Sequence, residues 1–179
     1  MVKQLPSEYD FDNRIIEPDG SFDEDSVQEL ELGEEKLLSM YENMVRARSL
    51  DSRGMTLQRQ GRIANWVPCS GQEGIHVGAA TALGEDDWLS TYGRQHGAQL
   101  ARGRPMKDIY LYWGGSEWGN VPPQGLNHLP VTIPIGTHIP HGVGVGWASK
   151  LKGNDEVSLI HFGDGATSEG DFHEGMNFA

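Results

Sequence analysis

The sequence has 179 residues, of which 37% are hydrophobic, and this length and composition suit roughly one globular domain with a substantial core. Its formal net charge is −12, from 26 acidic and 14 basic residues. Because nucleic acids and anionic membrane surfaces attract basic proteins, this balance argues against either as a partner. An anionic ligand would therefore have to be held by a local arrangement of groups.

The single cysteine and the lack of long apolar runs predict a cytoplasmic location. Cys69 has no intrachain disulfide partner, which fits a reducing compartment, and its place beside Pro68 favours a structural role over a reactive one. The opening "MVKQLPSEYD" has no apolar signal-peptide core, and no run approaches the roughly 20 apolar residues of a membrane span.

Two segments of different composition divide the chain. Residues 1–32 are acidic and irregular, and we expect an extended arm with a Pro-Asp-Gly turn at 18–20 and a disordered beginning. Residues 33–179 carry the periodic patterns. Apolar residues at helical spacing predict a helix from Glu34 to Arg48, and "SLDSRGMTLQRQGR" continues or restarts it until Gly61. An extended stretch from Ile63 to Pro68 follows.

Helices and strands alternate along the rest of the second segment. In chain order we predict a helix in "GQEGIHVGAATALG", a short strand after "EDD", helices in "HGAQLARG" and "MKDIYLYWGG", a loop over 114–130, an extended "VTIPIG", a helix in "IPHGVGVGWASKLKG", a strand over 156–162 and a last helix from Ser168. Glycine pairs at i, i+4 (Gly74 with Gly78, Gly142 with Gly146) predict close packing, for the first pair either at a subunit contact or beside the active site. The alternation predicts an α/β fold with a mainly parallel sheet flanked by helices.

The triplet Gly163-Asp164-Gly165 follows a predicted strand and precedes a predicted helix, the geometry of ligand sites at the carboxyl end of a parallel sheet. Ser168 and Asp171 form a Ser-x-x-Asp capping pattern, which marks a helix N-terminus, and such termini favour phosphate. Asp164 would repel phosphate unless a hard cation such as Mg²⁺ bridges them. The residues therefore indicate a Mg²⁺–diphosphate site, although the triplet alone also fits a plain turn.

Two common nucleotide motifs are excluded at this position. A dinucleotide fingerprint needs a third glycine where Ser168 stands, and a P-loop needs a following Gly-Lys-Ser/Thr. A nucleotide-binding α/β protein is for this reason the weakest of the alternatives.

Four tracts in fixed order resemble one family. "MVRARSLDSRGMTLQRQGRI", "SGQEGIHVGAATAL", "IGTHIPHGVGVGWASK" and "FGDGATSEGDFHEGMNFA" are similar to the α subunit of thiamine-diphosphate-dependent 2-oxo acid dehydrogenases, the E1 component. The resemblance covers roughly residues 34–179, and "GLNHLPVTIPIG" looks most like the pyruvate dehydrogenase branch. It implies a thiamine diphosphate-binding fold, incomplete at its C-terminus, over residues 33–179.

The resemblance also implies site residues. Asp164 matches the first Mg²⁺ ligand. The residues that match diphosphate and aminopyrimidine contacts are Tyr92, Arg94, Ile133, Ile135, Gly163, Gly165 and Ala166. There are two departures: Gly93 separates a Tyr-Arg pair that is adjacent in the family, and His138 stands where the family often has Gln. Catalysis is assigned to no residue, the histidines at 96, 128, 138, 141 and 173 included.

The implied activity is decarboxylation of pyruvate with thiamine diphosphate and Mg²⁺, with transfer of the acyl group to the lipoyl group of an E2 component. The implied partners are an E1 β subunit, in an α2β2 heterotetramer, and E2. Because further family motifs do not occur before Ala179, we expect an amino-terminal part of the subunit, inactive by itself. Three alternatives stay open: a branched-chain 2-oxo acid dehydrogenase α subunit, an acetoin dehydrogenase α subunit, and a non-catalytic fragment or assembly module.

Overall fold

The computed structural model describes residues 15–30 and 32–179. Two compact units divide the chain, Met1–Leu38 and Ser39–Ala179. The described helices are α1 (Glu24–Glu29), α2 (Glu34–Arg59), α3 (Glu73–Thr81), α4 (His96–Ala101), α5 (Met106–Trp113), α6 (His138–Lys152) and α7 (Gly170–Phe178); the strands are β1 (Trp88–Ser90) and β2 (Ser158–Ile160). No helix in this part of the chain is long and apolar enough to cross a membrane.

The first unit contains the expected turn and one unexpected helix. Ile16 and Phe22 form an antiparallel bridge around residues 18–20, and Gly20 adopts a left-handed φ of 88°. The Asp19 carboxylate accepts hydrogen bonds from the Ser21 amide at 2.9 Å and hydroxyl at 2.7 Å, which lower the pKa of Asp19. The prediction of an irregular arm missed α1, whose six residues are too few to show helical periodicity. The expected disordered beginning lies outside the described residues.

In the second unit, β1 and β2 form a parallel pair. Their register is Trp88 to Ser158, Leu89 to Leu159 and Ser90 to Ile160, and α4, α5 and α6 lie between them in the chain. This mixed fold with a small parallel sheet confirms the α/β class. The sheet is smaller than predicted, because the strand expected over 156–162 keeps three residues and "VTIPIG" forms no strand.

Helix α6 packs closely against the sheet, as its glycines predicted. A Cβ atom on Gly142 would lie 2.5 Å from Ile160 Cγ1, and one on Gly146 would lie 3.6 Å from Ser158 Cβ. Helix α3 shows no such close packing within the described chain, and the subunit contact predicted for its glycines stays a prediction. No atom comes within 4 Å of a Cβ placed on Gly74 or Gly78, since both glycines face away from the packed side of this helix.

A buried aspartate stabilises the loop between α2 and α3. Asp51 Oδ1 accepts hydrogen bonds from Trp66 Nε1 at 2.9 Å and from the Cys69 amide at 3.0 Å. Its Oδ2 accepts two from Ser70, the amide at 3.2 Å and the hydroxyl at 2.6 Å. Burial alone would raise the pKa of Asp51, but these hydrogen bonds outweigh it and the pKa is lowered.

Cys69 has the structural environment that its neighbours predicted. It is 1% exposed, and burial raises the pKa of its thiol to about 12, with smaller contributions from the charges of Asp51 and Glu73. A thiol with this pKa forms almost no thiolate at neutral pH, so Cys69 is a poor nucleophile.

The region 114–130, predicted to lack regular structure, contains one turn of 3₁₀ helix at Glu117–Asn120. The buried Arg104 guanidinium donates a hydrogen bond to the Gly119 carbonyl. A Cβ on Gly119 would overlap the α5 backbone at Tyr112 and Asp108. The missing side chain therefore lets this turn lie directly on α5, a long-range contact that local composition does not reveal.

Candidate functional site

The carboxyl ends of β1 and β2 lie at the same edge of the sheet. The His161 amide donates to the Ser90 carbonyl at 3.0 Å, which continues the pairing one residue beyond the strands. The segment after β1 carries Tyr92 and Arg94, and the segment after β2 carries the Gly163 triplet. The parallel register thus brings together two tracts that lie about 70 residues apart in the sequence.

Tyr92 and Gly163 are in direct proximity. A Cβ atom on Gly163 would lie 3.2 Å from the Tyr92 hydroxyl oxygen, so the tyrosine occupies the space that a larger residue would need. Gly163 itself has extended backbone, with φ −96° and ψ 170°. The site therefore places a phenol hydroxyl beside the first glycine of the triplet.

The triplet continues into a 3₁₀ helix, Asp164–Ser168. The Ala166 amide donates to the Gly163 carbonyl at 3.1 Å, and the Thr167 hydroxyl donates to the Asp164 carbonyl at 2.6 Å. Ala166 is 1% exposed, whereas Asp164 and Gly165 are exposed. No atom lies within 4 Å of a Cβ placed on Gly165, so its backbone is open to a ligand.

The capping prediction at Ser168 was wrong. Ser168 ends the 3₁₀ helix, and Glu169 is the N-cap residue of α7, without a side-chain capping bond. The 3₁₀ helix after Gly163 places the N-cap of α7 at Glu169, one residue beyond the predicted position. Asp171 then lies in the first turn of α7, where an acidic side chain complements the helix dipole.

Gly93, the departure from the family pattern, lies in a turn that Gln95 closes. Gln95 Oε1 accepts hydrogen bonds from the amides of Tyr92 at 3.2 Å and Gly93 at 3.3 Å. Arg94 is half-buried, and its Nε atom is buried without a hydrogen-bond partner. This arrangement accommodates the residue between Tyr92 and Arg94 and leaves guanidinium hydrogen-bonding capacity unused.

Two buried histidines, His76 and His138, and the half-buried His161 lie around this edge of the sheet. His138 Nε2 donates to the His161 carbonyl at 2.7 Å, and the His138 ring is 5.5 Å from the Tyr92 ring. The His161 ring meets the His76 ring edge-on at 5.8 Å. Burial lowers the pKa of all three, for His76 to about 4, so all are neutral at neutral pH.

Sequence reasoning gave His76, His161 and Gln95 no place in the site. Their signal was weak: His161 follows the strand directly and Gln95 stands three residues after Tyr92, but burial is decided by long-range packing. Of the histidines considered, His138 is buried and in the site, whereas His141 and His173 are exposed.

Ile133 and Ile135 lie in the irregular segment 131–136. They are 53% and 55% exposed. Ile133 Cδ1 is 3.9 Å from a Cβ placed on Gly93, so the segment borders the turn that carries Tyr92. At its other end, a Cβ on Gly136 would be 3.2 Å from Glu169 Cβ and 3.5 Å from Asp171 Cβ. Two exposed apolar side chains thus lie between the segments that follow β1 and β2.

The arrangement fits a Mg²⁺–diphosphate group in its donor chemistry. It offers an exposed carboxylate, an open glycine backbone and a guanidinium at one edge. Within residues 15–30 and 32–179, no group of three or more His, Cys, Asp or Glu side chains is placed to hold a metal ion. Asp164 would therefore be one protein ligand, which suits Mg²⁺ because it commonly binds through one or two carboxylates, phosphate oxygens and water.

The fold and this edge of the sheet define an α/β protein with a candidate anion and cation site. The chain belongs to the Dehydrogenase E1 component family, which residues 41–179 match. This membership confirms the resemblance that the four tracts predicted.

The names of similar proteins give two activities. The chain is 40% identical over 166 residues to the 3-methyl-2-oxobutanoate dehydrogenase subunit alpha of Mycobacterium tuberculosis, covering 93% of this chain and 45% of the relative. It is 39% identical over 151 residues to the pyruvate dehydrogenase E1 component subunit alpha of Acholeplasma laidlawii, covering 84% and 44%. It is 36% identical over 167 residues to the pyruvate dehydrogenase E1 component subunit alpha of Staphylococcus epidermidis, covering 93% of this chain and 45% of the relative. The chain thus spans less than half the length of these curated relatives.

Proposed function

We propose that this chain forms part of the α subunit of a 2-oxo acid dehydrogenase E1 and that its sheet edge binds the diphosphate of thiamine diphosphate with Mg²⁺. The observation that carries the proposal is the proximity of Tyr92 to Gly163, where the tyrosine hydroxyl occupies the space that a Cβ would need. It joins two tracts that match the family's cofactor motifs, and it does so at the carboxyl end of parallel strands, where ligands of α/β proteins bind.

Each residue would have a distinct part in holding the cofactor. Asp164 would bind Mg²⁺ through its exposed carboxylate, and the backbone at Gly163, Gly165 and Ala166 would face the diphosphate. Arg94 would donate to phosphate oxygens, and its unpartnered Nε supports this role. Tyr92 would border the diphosphate through its hydroxyl.

Ile133 and Ile135 would support the aminopyrimidine end of the cofactor. Their exposure in this structure supports the proposal, because an apolar surface beside a polar site gains free energy when a ring covers it. The thiamine diphosphate-binding fold is part of the same proposal.

Bound thiamine diphosphate would supply the electron sink for loss of CO₂ from a 2-oxo acid. We propose pyruvate as the substrate, since "GLNHLPVTIPIG" resembles the pyruvate branch. The acyl group would pass to a lipoyl group on E2, and an E1 β subunit would complete the α2β2 enzyme. The cytoplasmic location stays a prediction from the sequence.

A second candidate substrate is 3-methyl-2-oxobutanoate. The identity of 40% to the mycobacterial subunit named for that substrate favours it. The two substrates differ in the bulk next to the 2-oxo carbon, so substrate competition can separate them.

The test is CO₂ release by an α subunit that contains this chain, combined with an E1 β subunit, thiamine diphosphate and Mg²⁺, with pyruvate and 3-methyl-2-oxobutanoate in parallel. We expect turnover with a higher kcat/KM for pyruvate. Preference for the branched substrate would replace pyruvate by the second candidate. If that α subunit assembles with the β subunit but releases no CO₂ from either acid, the proposed activity is wrong and a non-catalytic assembly module takes its place.

A further inference from the structure

Asn120 pairs with the backbone of Val131 through both ends of its side-chain amide. Its Oδ1 accepts from the Val131 amide at 2.7 Å, and its Nδ2 donates to the Val131 carbonyl at 3.0 Å. This two-way exchange is what a neighbouring strand residue would provide in an antiparallel ladder. Since residues 131–136 belong to no strand, the Asn120 side chain here provides the two hydrogen bonds that a strand would otherwise provide.

Asn120 is itself held in place. It is the last residue of the 3₁₀ turn at Glu117–Asn120. In this turn the Gly119 carbonyl accepts a hydrogen bond from the buried Arg104, and Gly119 packs closely on the α5 backbone. Arg104 also donates to Gln99 Oε1 at 3.2 Å, on the neighbouring helix α4. The backbone of Asn120 is therefore held in place, and its side-chain amide determines the position of Val131.

The far end of the segment is fixed independently. Gly136 has a left-handed φ of 91°, its carbonyl accepts from the Ile139 amide at 2.8 Å, and its Cα lies against Glu169. Between this point and the buried Val131, Ile133 and Ile135 are both more than half exposed. The segment thus resembles a short bridge between two anchors.

We infer that Asn120 is a positioning residue that sets the place of Ile133 and Ile135 relative to the Tyr92 turn, and so determines how well the site holds the ring of its ligand. This inference rests on the proposed function. It predicts a selective effect, because the diphosphate end of the site lies after β1 and β2 and shares no hydrogen bond with Asn120.

The experiment compares two probes on the 179-residue chain by calorimetry: thiamine diphosphate and inorganic diphosphate, each with Mg²⁺. Asn120→Ala removes both hydrogen bonds and should weaken thiamine diphosphate binding about tenfold while changing inorganic diphosphate binding less than about twofold. Asn120→Asp keeps the acceptor for the Val131 amide and should fall between Asn120→Ala and wild type. Asn127→Ala is the matched control: it removes the hydrogen bond that Asn127 Nδ2 donates to the Asp86 carbonyl, and it should change the binding of neither probe.

Hydrogen exchange at Val131 provides a readout that needs no ligand. We expect protection of the Val131 amide in the wild type and its loss in Asn120→Ala, with no loss in Asn127→Ala. Unchanged protection of the Val131 amide in Asn120→Ala would overturn the inference. It would also be overturned if Asn120→Ala weakened the binding of both probes equally, or weakened the binding of neither probe. If the wild type binds neither probe, the proposed function is wrong. The ring-positioning role of Asn120 is then wrong as well, even if Asn120→Ala removes the protection of the Val131 amide.

Discussion

Two glycines in helix α6 should respond to alanine with opposite signs. A Cβ on Gly142 would lie 2.5 Å from Ile160 Cγ1 and 2.7 Å from its Cδ1, whereas a Cβ on Gly144 would have no atom within 4 Å. Alanine in place of glycine in a helix interior gains about 0.5–1 kcal/mol from backbone entropy. Forcing an extra methyl group into a packed contact costs about 1–3 kcal/mol.

The expected outcome follows by subtraction. Gly144→Ala should stabilise the chain by about 0.5–1 kcal/mol, and Gly142→Ala should destabilise it relative to Gly144→Ala by about 1–3 kcal/mol. For a chain of this size, each kcal/mol corresponds to a shift in Tm of about 2–4 °C. Thermal denaturation followed by circular dichroism measures the difference. Equal stabilisation by both substitutions would refute the packing of α6 on β2.

Three further predictions concern buried groups. Asp51→Asn should destabilise the chain by about 2–3 kcal/mol in urea denaturation, because an amide nitrogen would face donors of Ser70; a change below about 0.5 kcal/mol would contradict this. Burial lowers the pKa of His76, His96 and His128 to about 4, below their unfolded value, so the unfolded chain binds more protons. The contribution of these histidines to the free energy of unfolding should be fully present above about pH 6.5. It should fall towards pH 4 by at most about 1.4 kcal/mol per pH unit for each histidine, and a free energy of unfolding that does not change over this range would contradict the burial of these rings. Cys69 should resist iodoacetamide at pH 8 in the native chain and react after unfolding, and rapid native labelling would disprove its burial.

Local patterns in the sequence predicted most of the helices and the order of the two strands. Helix α2 was predicted from apolar residues at helical spacing between Leu37 and Arg48, and the glycine pair of α6 predicted a close approach that the structure has at Ile160. These features depend on residues close together in the chain. Helix α1 was missed because a single short, acidic turn carries little of that signal.

The parts that could not be predicted depend on distant contacts. The identical glycine spacing in α3 faces open space, because spacing alone does not say what lies opposite a helix face. Likewise, "VTIPIG" has the composition of a strand, but Asn120 and Gly136 hold it as an irregular segment. In the site, the residue types were evident from the motifs, whereas the layer of His76, His138 and His161 depended on packing.

The central claim is that Asp164 and the turn around it bind thiamine diphosphate through Mg²⁺. Calorimetric titration of thiamine diphosphate into the chain, with and without Mg²⁺, tests it most directly. We predict Mg²⁺-dependent binding that Asp164→Ala abolishes and that the control Asp155→Ala, on an exposed loop before β2, leaves unchanged. Absence of binding, or binding that neither Mg²⁺ nor Asp164→Ala affects, would contradict the claim.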